Sequence, residues 1–305
     1  MSKFKNKVLI TGSQGQDGII LSDILIKKKY NVIGLVRNYN FKKKIPKTKY
    51  IRLSLFHKNK LKQFLKKNKP NFIVHFGSEN PSYSQRNKNK NVFNKKNKIS
   101  TLNLINCVND LKLETNFIFA NSSQIFKKTK KKINESFHFI KKDSYTSFRI
   151  DIYEYLKTLK KRNNFKFVNL ILFNHDSIFR SKKFLFPRLI NSIKRKDKKF
   201  INTIYEQNIF ADFSHAEDIC NAIYLIIKKS IIVDNLILSS SKLTSVNRII
   251  RFLLMQNNSL YLLNKKNIIK RKEISLLGNN SLAKRILGWK IKKNIFKAVS
   301  EIYEY

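Results

Sequence analysis

Two hydroxyl side chains and one cation occupy positions from which a parallel sheet can present them for proton transfer. Ser122 lies in residues 116–126, which predict a strand and its exit, and Tyr145 and Arg149 open a predicted helix. The i, i+4 spacing puts Tyr145 and Arg149 on one helical face, where the guanidinium charge favours an ionised phenol. The pattern predicts acid–base chemistry at the carboxyl end of a strand. An ordinary amphipathic helix is the alternative, because tyrosine and basic residues are abundant.

A second chemical signal lies at the start of the chain. Gly12, Gly15 and Gly18 follow an apolar run at residues 8–10 that predicts a buried strand, and an apolar helical face comes next. A strand, a glycine turn and a helix let backbone N–H groups approach a dinucleotide pyrophosphate at the positive end of the helix. The spacing G-x-x-G-x-x-G is weak evidence by itself, and a plain βα turn is the alternative.

The residue after the second predicted strand indicates which dinucleotide binds. NAD-selective sites place an acid there to hold the ribose 2′-hydroxyl, but this chain has Arg37. A guanidinium suits a 2′-phosphate through charge-assisted hydrogen bonds, so the sequence favours NADP. A surface basic residue in a basic protein is the alternative reading.

Composition sets the class of protein. The 305 residues, of which 42% are hydrophobic, suffice for one large α/β unit or a nucleotide domain with a smaller lobe. Cys107 and Cys220 lie far apart, which argues against a disulfide framework or a metal site and fits a reducing cytoplasm. The N-terminus leads directly into the first strand, so we expect no signal peptide, and no apolar run reaches membrane-helix length.

The formal charge of +45 invites a nucleic-acid reading. Lysines are spread over the whole chain and mixed with Asn, Ile and Phe, as AT-rich codon usage would produce. We expect salt-dependent attraction to anions but no specific nucleic-acid partner and no membrane partner. A basic polyanion-binding protein on a reused fold stays as an alternative that charge alone suggests.

Several motifs resemble the extended short-chain dehydrogenase/reductase family. Residues 11–18, T-G-S-Q-G-Q-D-G, are similar to the start of its GDP-mannose 4,6-dehydratase branch. Residues 172–177, L-F-N-H-D-S, closely resemble the L-F-N-H-E-S of that branch, and residues 281–290 resemble its K-A-x-x-x-L-G-W segment. The resemblance covers almost the whole chain.

The resemblance implies roles for individual residues. Ser122 stands for the catalytic threonine of the family, and Tyr145 with Arg149 stands for its Tyr-x-x-x-Lys pair, which acts on a sugar hydroxyl and contacts the cofactor. The remaining positions complete the implied cofactor and substrate sites. Cofactor contacts map to Gly12, Gly15, Gln16, Asp17, Gly18, Arg37, His175 and Arg180, and substrate contacts map to Asn174 and Arg188.

The resemblance also implies a fold and a reaction. The expected architecture is a Rossmann-like, doubly wound parallel α/β sheet over residues 1–172, returning near 208–238, with a substrate lobe from residues 173–207 and 239–305. The implied function is NADP-dependent 4,6-dehydration of a GDP-sugar by a homo-oligomer, with oxidation at C4, loss of water and hydride return to C6. Alternatives are a C4 reductase or epimerase, and a homologue that only binds nucleotide.

Two departures from the family pattern bear on activity. Gln124 stands at the position of the catalytic Glu and cannot take up a proton at neutral pH, and Arg149 replaces the Lys. Glu79 stands where the family has Gln, at the exit of the fourth predicted strand, so we hypothesise that it partly replaces the lost carboxylate. Two unrelated changes in a compositionally biased chain are the alternative.

Four further residues are predicted to be structural. His75, within the fourth predicted strand, has the surroundings of a packed core histidine. Asp212 and His215 are expected to hold a loop and to cap the helix that follows. Trp289 is expected in the core.

Overall fold

Seven short apolar segments pair into one parallel sheet in the computed structural model, which describes residues 6–78, 90–264 and 274–305. The strand order is β3-β2-β1-β4-β5-β6-β9, and every neighbouring pair is parallel. The strands are β1 (Lys7–Thr11), β2 (Asn31–Val36), β3 (Lys49–Arg52), β4 (Phe72–His75), β5 (Asn116–Ser122), β6 (Phe167–Leu172) and β9 (Asn235–Leu238). This order is that of a doubly wound Rossmann-like sheet, and it confirms the predicted fold class.

Helices cover both faces of this sheet. α1 and α7 pack on one face, while α2, α3 and α4 pack on the other. Their bounds are α1 (Gln16–Lys27), α2 (Lys58–Asn68), α3 (Lys90–Asp110), α4 (Ser144–Asn163) and α7 (Ala216–Lys228). Side chains alternate along each strand, so Val8 and Ile10 enter the first core and Leu9 enters the second. Burial on both faces explains why the strands read as continuous apolar runs.

A second unit contains a three-stranded sheet and most of the remaining helices. In this sheet, β8 (Phe210–His215) pairs parallel with β7 (Asn174–Asp176) and antiparallel with β10 (Leu243–Ser245). Four helices share a separate core with Phe213: α5 (Leu185–Lys194), α6 (Lys198–Glu206), α8 (Val246–Gln256) and α10 (Ile295–Glu304). The short α9 (Ser281–Leu287) returns to the first core.

The chain therefore crosses between the two units more than once. The segment near 208–238 was predicted to return to the nucleotide-binding unit. In the structure, β9 pairs in the large sheet and α7 packs against that sheet, whereas β8 belongs to the small sheet. The domain limits themselves remain a prediction. None of the described helices has the length and apolarity of a membrane span.

The predicted structural residues are where the sequence put them. Trp289 is buried and donates its indole N–H to the Asp218 carbonyl, 3.0 Å away. His215 precedes the first residue of α7 and accepts the Glu217 backbone N–H through Nδ1 at 3.1 Å. The fully buried Asp212 carboxylate holds two later loops against β8. Its acceptor contacts are the Ser240 N–H at 2.8 Å, the Ser240 hydroxyl at 2.6 Å, and the Ser241 and Gly278 N–H groups at 3.1 Å each.

The Asp212 clamp yields a stability prediction. Burial raises the pKa of Asp212 to about 6 against these hydrogen bonds, so the carboxylate is ionised at pH 8. Asp212→Ala leaves three backbone N–H groups without their acceptor, and we expect the free energy of unfolding at pH 8 to fall by about 3–5 kcal/mol in urea titrations. Asp23→Ala removes an exposed i, i+4 ion pair with Lys27 and should cost far less than Asp212→Ala. Similar losses of unfolding free energy in the two variants would contradict the role of Asp212 in holding the two loops.

Candidate active site

The three glycines form a tight turn between β1 and α1. Gly12 has a positive φ of 68°, and the Gly15 N–H donates to its carbonyl at 2.9 Å. A Cβ on Gly18 would lie 2.5 Å from both the Gly12 oxygen and the Ser13 Cα, so only glycine lets α1 begin against the turn. Gly15 is exposed and directly precedes α1, which leaves the helix N-terminus open to an anion. These residues fit a dinucleotide pyrophosphate.

The loop after β2 is fastened to this turn. Gln14 donates its amide N–H to the carbonyls of Asn38 at 2.8 Å and Asn40 at 3.0 Å. Arg37 directly follows β2 and is exposed, at the position that the sequence predicted. The predicted selector of the cofactor phosphate therefore lies on a loop that the glycine turn holds in place.

The same loop gathers further positive charge. Lys42 donates to the Phe179 carbonyl at 3.4 Å, and burial together with the nearby charge of Lys182 lowers the pKa of the Lys42 ammonium. A lysine whose pKa is lowered by burial and by a second cation lies where a bound anion would be stabilised. This feature was not predicted, because Lys42 and Lys182 are far apart in a chain rich in lysine.

At the end of β4, His75 joins three elements. Its Nδ1 lies 2.7 Å from the Thr11 hydroxyl of β1, and its Nε2 lies 2.9 Å from the Thr101 hydroxyl of α3. Thr101 donates onward to the Asn97 carbonyl, and Thr11 accepts the Gly77 N–H, so the network implies a proton on Nε2. His75 is a satisfied core histidine, as predicted.

Ser122 ends β5 and Gln124 lies in the 3-10 turn that follows. The Ser122 hydroxyl oxygen accepts the Gln124 backbone N–H at 3.2 Å, and the Asn121 amide oxygen accepts the Ser122 N–H at 2.8 Å. Both Ser122 and Gln124 are half-buried. Among the described residues, no side chain hydrogen-bonds the Gln124 amide. The geometry presents the Ser122 hydroxyl at the sheet edge beside an amide that cannot exchange a proton.

Tyr145 lies in the first turn of α4, where Asp143 caps the helix. The Asp143 carboxylate accepts the Thr146 N–H at 2.8 Å, and the Thr146 hydroxyl oxygen accepts the Asp143 backbone N–H at 3.0 Å, which completes a capping box. The Arg149 guanidinium carbon lies 5.0 Å from the centroid of the Tyr145 ring. The two side chains therefore share a helical face, as their spacing predicted.

Arg149 is buried and reaches back to β5. Its Nη1 donates to the Ala120 carbonyl, and its guanidinium also lies 5.0 Å from the Phe148 ring centroid and 5.8 Å from that of Phe119. The Nε atom is buried without a hydrogen-bond partner in the described part of the chain. Because Ala120 lies two residues before Ser122, this contact brings the helix turn of Tyr145 to the strand end of Ser122.

The predicted cofactor residues Gln16, Asp17 and His175 contact one another. The His175 Nε2 lies 3.1 Å from both Asp17 carboxylate oxygens, and the Gln16 amide donates to the His175 carbonyl at 3.2 Å. Arg180 places its Nε 3.2 Å from the Asp176 carboxylate, close enough for an ion pair but not aligned for a hydrogen bond. The structure brings this group to the first turn of α1.

The two predicted substrate residues lie further along the chain, in the second unit. Asn174 donates its amide to the Asp212 carbonyl at 3.2 Å, which joins β7 to β8. Arg188 is exposed on α5 and packs over the Phe200 ring at 4.8 Å, within the helical layer and away from the strand ends of the large sheet. Glu79 lies outside the described residues, so its hypothesis stays a prediction.

A buried amide ladder escaped the sequence analysis. Asn121 donates to Asn169 at 2.9 Å, Asn169 donates to Asn235 at 2.7 Å, and Asn235 donates to the Tyr153 hydroxyl at 3.1 Å. The ladder crosses β5, β6 and β9 and reaches α4. Single asparagines in apolar strands give no sign of such pairing in the sequence.

The parallel sheet, the glycine turn and the Ser122–Tyr145 arrangement define an extended short-chain dehydrogenase/reductase. Residues 9–302 match the family described as GDP-mannose 4,6 dehydratase, and the chain belongs to that family. The human GDP-mannose 4,6 dehydratase is 24% identical over 252 residues. That match covers 75% of this chain and 66% of the human protein, slightly under two thirds of its length.

Two solved structures are similar in fold. A UDP-glucose 4-epimerase from Thermotoga maritima, solved with UDP-glucose, superposes with a TM-score of 0.81 at 17% identity and covers 98% of both chains. A dTDP-glucose 4,6-dehydratase from Bacillus anthracis, solved with NAD, gives a TM-score of 0.80 at 13% identity, covering 98% of this chain and 96% of the other. The first protein is an epimerase and the second a dehydratase, so the shared fold does not choose between those reactions.

His75 yields a pH-dependent prediction. Burial, reinforced by the Arg149 charge, lowers the pKa of His75 to about 3. Because an unfolded histidine titrates near about 6.5, His75 contributes stability above that pH that is lost as the pH falls toward about 3. We expect His75→Phe to be less stable than the parent at pH 7.5. By pH 4.5 that deficit should shrink by about 2–3 kcal/mol in urea unfolding, since His75 takes up a proton when the parent unfolds and the variant has no imidazole there.

The matched control for this prediction is His57→Gln, which alters an exposed histidine in the same unit. Its stability relative to the parent should change little between the two pH values. A deficit of His75→Phe that is the same at pH 7.5 and pH 4.5 would show that His75 does not remain neutral in the folded protein.

Proposed function

We propose that this protein is an NADP-dependent enzyme that modifies a GDP-sugar, with 4,6-dehydration of GDP-mannose as its reaction. The observation that carries the proposal is the contact of Arg149 with both the Tyr145 ring and the Ala120 carbonyl. That contact joins a Tyr-x-x-x-Arg helix turn to the Ser122 strand end of a dinucleotide-binding sheet. Family membership supports the substrate class.

The residues divide the chemistry between them. Bound nicotinamide supplies the hydride acceptor and donor. The Tyr145 side chain, as its phenolate, takes the proton of the sugar C4 hydroxyl, and the buried Arg149 guanidinium lies over its ring. The Ser122 hydroxyl, fixed by its contact with the Gln124 N–H, positions the same sugar oxygen. Elimination additionally requires a base near C5, and Glu79 is the residue we propose for it.

The preference for NADP rests on charge at the adenosine end. Arg37 follows β2 where NAD-selective sites have an acid. Lys42 lies on the same loop and interacts with the charge of Lys182, so an anion bound beside these two lysines would relieve their repulsion. We expect the protein to act as a homo-oligomer, and its two distant cysteines favour a reducing cytoplasm.

A second candidate function is nucleotide binding without turnover. Gln124 cannot exchange a proton, and Arg149 directs its Nη1 to a strand carbonyl, which leaves less of the guanidinium for a cofactor ribose. Under this candidate the glycine turn still binds a dinucleotide. A C4 reductase or epimerase lies between the two, because it needs Ser122 and Tyr145 but no elimination base.

Turnover of GDP-mannose separates these functions. We expect the purified parent with NADP to form a 4-keto-6-deoxy sugar nucleotide, and Tyr145→Phe to lower kcat by about 100-fold or more, because a general acid–base contributes that much. Tyr155→Phe is the matched control, since Tyr155 lies on the same helix and donates to Asn106. It should keep most of the activity.

Variants at Glu79, Gln124 and Arg149, where this chain departs from the family pattern, test whether another carboxylate replaces the one that Gln124 lacks. If Glu79 compensates, Glu79→Gln abolishes the activity of the parent. If the chain only binds nucleotide, the parent is inactive, and activity emerges only in Gln124→Glu, alone or together with Arg149→Lys. Conversion of the sugar nucleotide to an isomer of the same mass, separated by chromatography, would instead identify a C4 epimerase, and NADPH-dependent reduction of a 4-keto sugar nucleotide would identify a C4 reductase.

Cofactor titrations test the adenosine-end proposal. At fixed ionic strength we expect the parent to bind NADP more tightly than NAD. Arg37→Ala should weaken NADP binding by about tenfold and leave NAD binding within about twofold, because one charge-assisted phosphate contact is lost. Lys27→Ala, which removes an exposed lysine of α1, controls for the change in net charge. Equal affinity of the parent for the two cofactors would refute the preference.

A further inference from the structure

Both ring nitrogens of His175 face groups that only accept hydrogen bonds. Nδ1 lies 2.7 Å from the Phe173 carbonyl oxygen, and Nε2 lies 3.1 Å from each oxygen of the Asp17 carboxylate. A carbonyl cannot donate, so Nδ1 carries a hydrogen, and an ionised carboxylate requires a hydrogen on Nε2 as well. The geometry therefore calls for an imidazolium paired with a carboxylate, a combination whose net charge is zero.

The zero net charge of the Asp17–His175 pair matters because of where Asp17 lies. Asp17 is the second residue of α1, the helix whose first turn faces the proposed pyrophosphate site. A helix N-terminus attracts anions through its free N–H groups and its dipole. An uncompensated carboxylate in the same turn would oppose a doubly charged pyrophosphate over a short range.

The surroundings hold the two side chains in place. The Gln16 amide donates to an Asp17 carboxylate oxygen at 3.1 Å and to the His175 carbonyl at 3.2 Å, and the Ser177 hydroxyl donates to the Gln16 amide oxygen at 3.0 Å. His175 is 7% exposed. The pair thus fastens β7 of the small sheet to the first turn of α1, and solvent screens it little.

We propose that His175 acts as a positioning residue for the cofactor by cancelling the Asp17 charge, so that the first turn of α1 can receive a dinucleotide pyrophosphate. This inference rests on the proposed function, because it assumes that the dinucleotide binds at the glycine turn. It assigns His175 a role through Asp17 and not through direct contact with the cofactor.

Other charged groups near the pair set its proton affinity. Burial opposes the charged ring, but Asp17 outweighs it and the pKa of His175 is raised, while the Arg180 charge acts the other way. Burial likewise opposes the Asp17 carboxylate, yet His175 and Arg180 outweigh it and the pKa of Asp17 is lowered. Asp176 lies next to His175 in β7 and interacts electrostatically with both members of the pair.

Two further titratable groups, Cys220 of α7 and His215 of β8, lie near Asp17 or Asp176. The Cys220 thiol contacts the Asp17 carbonyl at 3.5 Å, and burial together with Asp17 and Glu217 raises its pKa well above the ordinary value. The Cys220 thiol therefore stays neutral. The His215 Nε2 atom lies 2.9 Å from a carboxylate oxygen of Glu301.

The sign of the pH effect follows from the raised pKa of His175. The proton stays on the pair above the ordinary histidine range, and it leaves as the pH rises through the raised value. Loss of the proton leaves the Asp17 charge uncompensated. Affinity for the dinucleotide should therefore fall at alkaline pH in the parent, and this fall should be absent where both members of the pair are neutral.

The test measures NADP and NAD dissociation constants by titration calorimetry at pH 7 for four proteins: the parent, His175→Gln, Asp17→Asn, and the double variant. We expect His175→Gln to bind NADP about tenfold more weakly than the parent, because it leaves an unpaired carboxylate in the first turn of α1. Adding Asp17→Asn to His175→Gln should recover most of the lost affinity, because it removes that carboxylate. The ratio of parent to double-variant affinity should decline as the pH rises through the raised pKa of His175.

Thermal unfolding of the same four proteins tests whether the pair affects NADP binding through its charge or through the stability of the fold. We expect the double variant to unfold below the parent, because it lacks the ion pair, and yet to bind NADP more tightly than His175→Gln. Affinity that follows the unfolding temperature across the series would overturn the inference, as would a double variant as weak as His175→Gln. If all four proteins bind equally well, the inference fails and the proposed function stands. If the parent binds neither cofactor, both fail.

Discussion

The missing side chain at Gly18 sets the geometry on which the candidate site depends. A Cβ there would overlap the Gly12 carbonyl and the Ser13 backbone, so α1 can start directly behind the turn only because this position is glycine. That start places Gln16 and Asp17 where they reach His175 and Ser177. A single close approach of backbone thus positions the anion-binding helix end and docks the small sheet onto it.

Arg149 imposes a second constraint, because a buried guanidinium is costly unless its N–H groups find acceptors. The Ala120 carbonyl and three aromatic rings meet part of that demand, and the Nε atom has no hydrogen-bond partner in the described chain. Burial, reinforced by this charge, keeps His75 neutral, which preserves its hydrogen bonds to Thr11 and Thr101. A lysine would bring a point charge on a flexible stem, whereas the planar fork of Arg149 reaches the strand and ties α4 to β5.

The sequence was most informative where one residue type satisfies a local backbone or packing demand. The glycine turn, the shared face of Tyr145 and Arg149, and the burial of Trp289 all follow from spacing or size over a few residues. Contacts between distant segments were not predictable in this way. The Asp17–His175 pair joins positions 158 residues apart, and neither residue type specifies its partner.

The same limit applied to the burial of Arg149 against β5 and to the gathering of Lys42 and Lys182. Both depend on how a helix or loop is laid over the sheet, and in a chain with 64 Lys and Arg residues a basic side chain carries little information by itself. The proposed function rests on motif resemblance. The structure shows which contacts the matched residues make.

The two halves of the proposed reaction make different demands on this site. Oxidation at C4 needs a bound dinucleotide and a hydroxyl pair able to take a proton, and the described residues supply the turn, Ser122 and Tyr145. Elimination across C5 and C6 needs a carboxylate, and the position that resembles the family's base holds Gln124. Losing that base leaves C4 chemistry intact, because the two steps use different protons. The proposed dehydration therefore requires another carboxylate in the site, which is the part that we propose for Glu79.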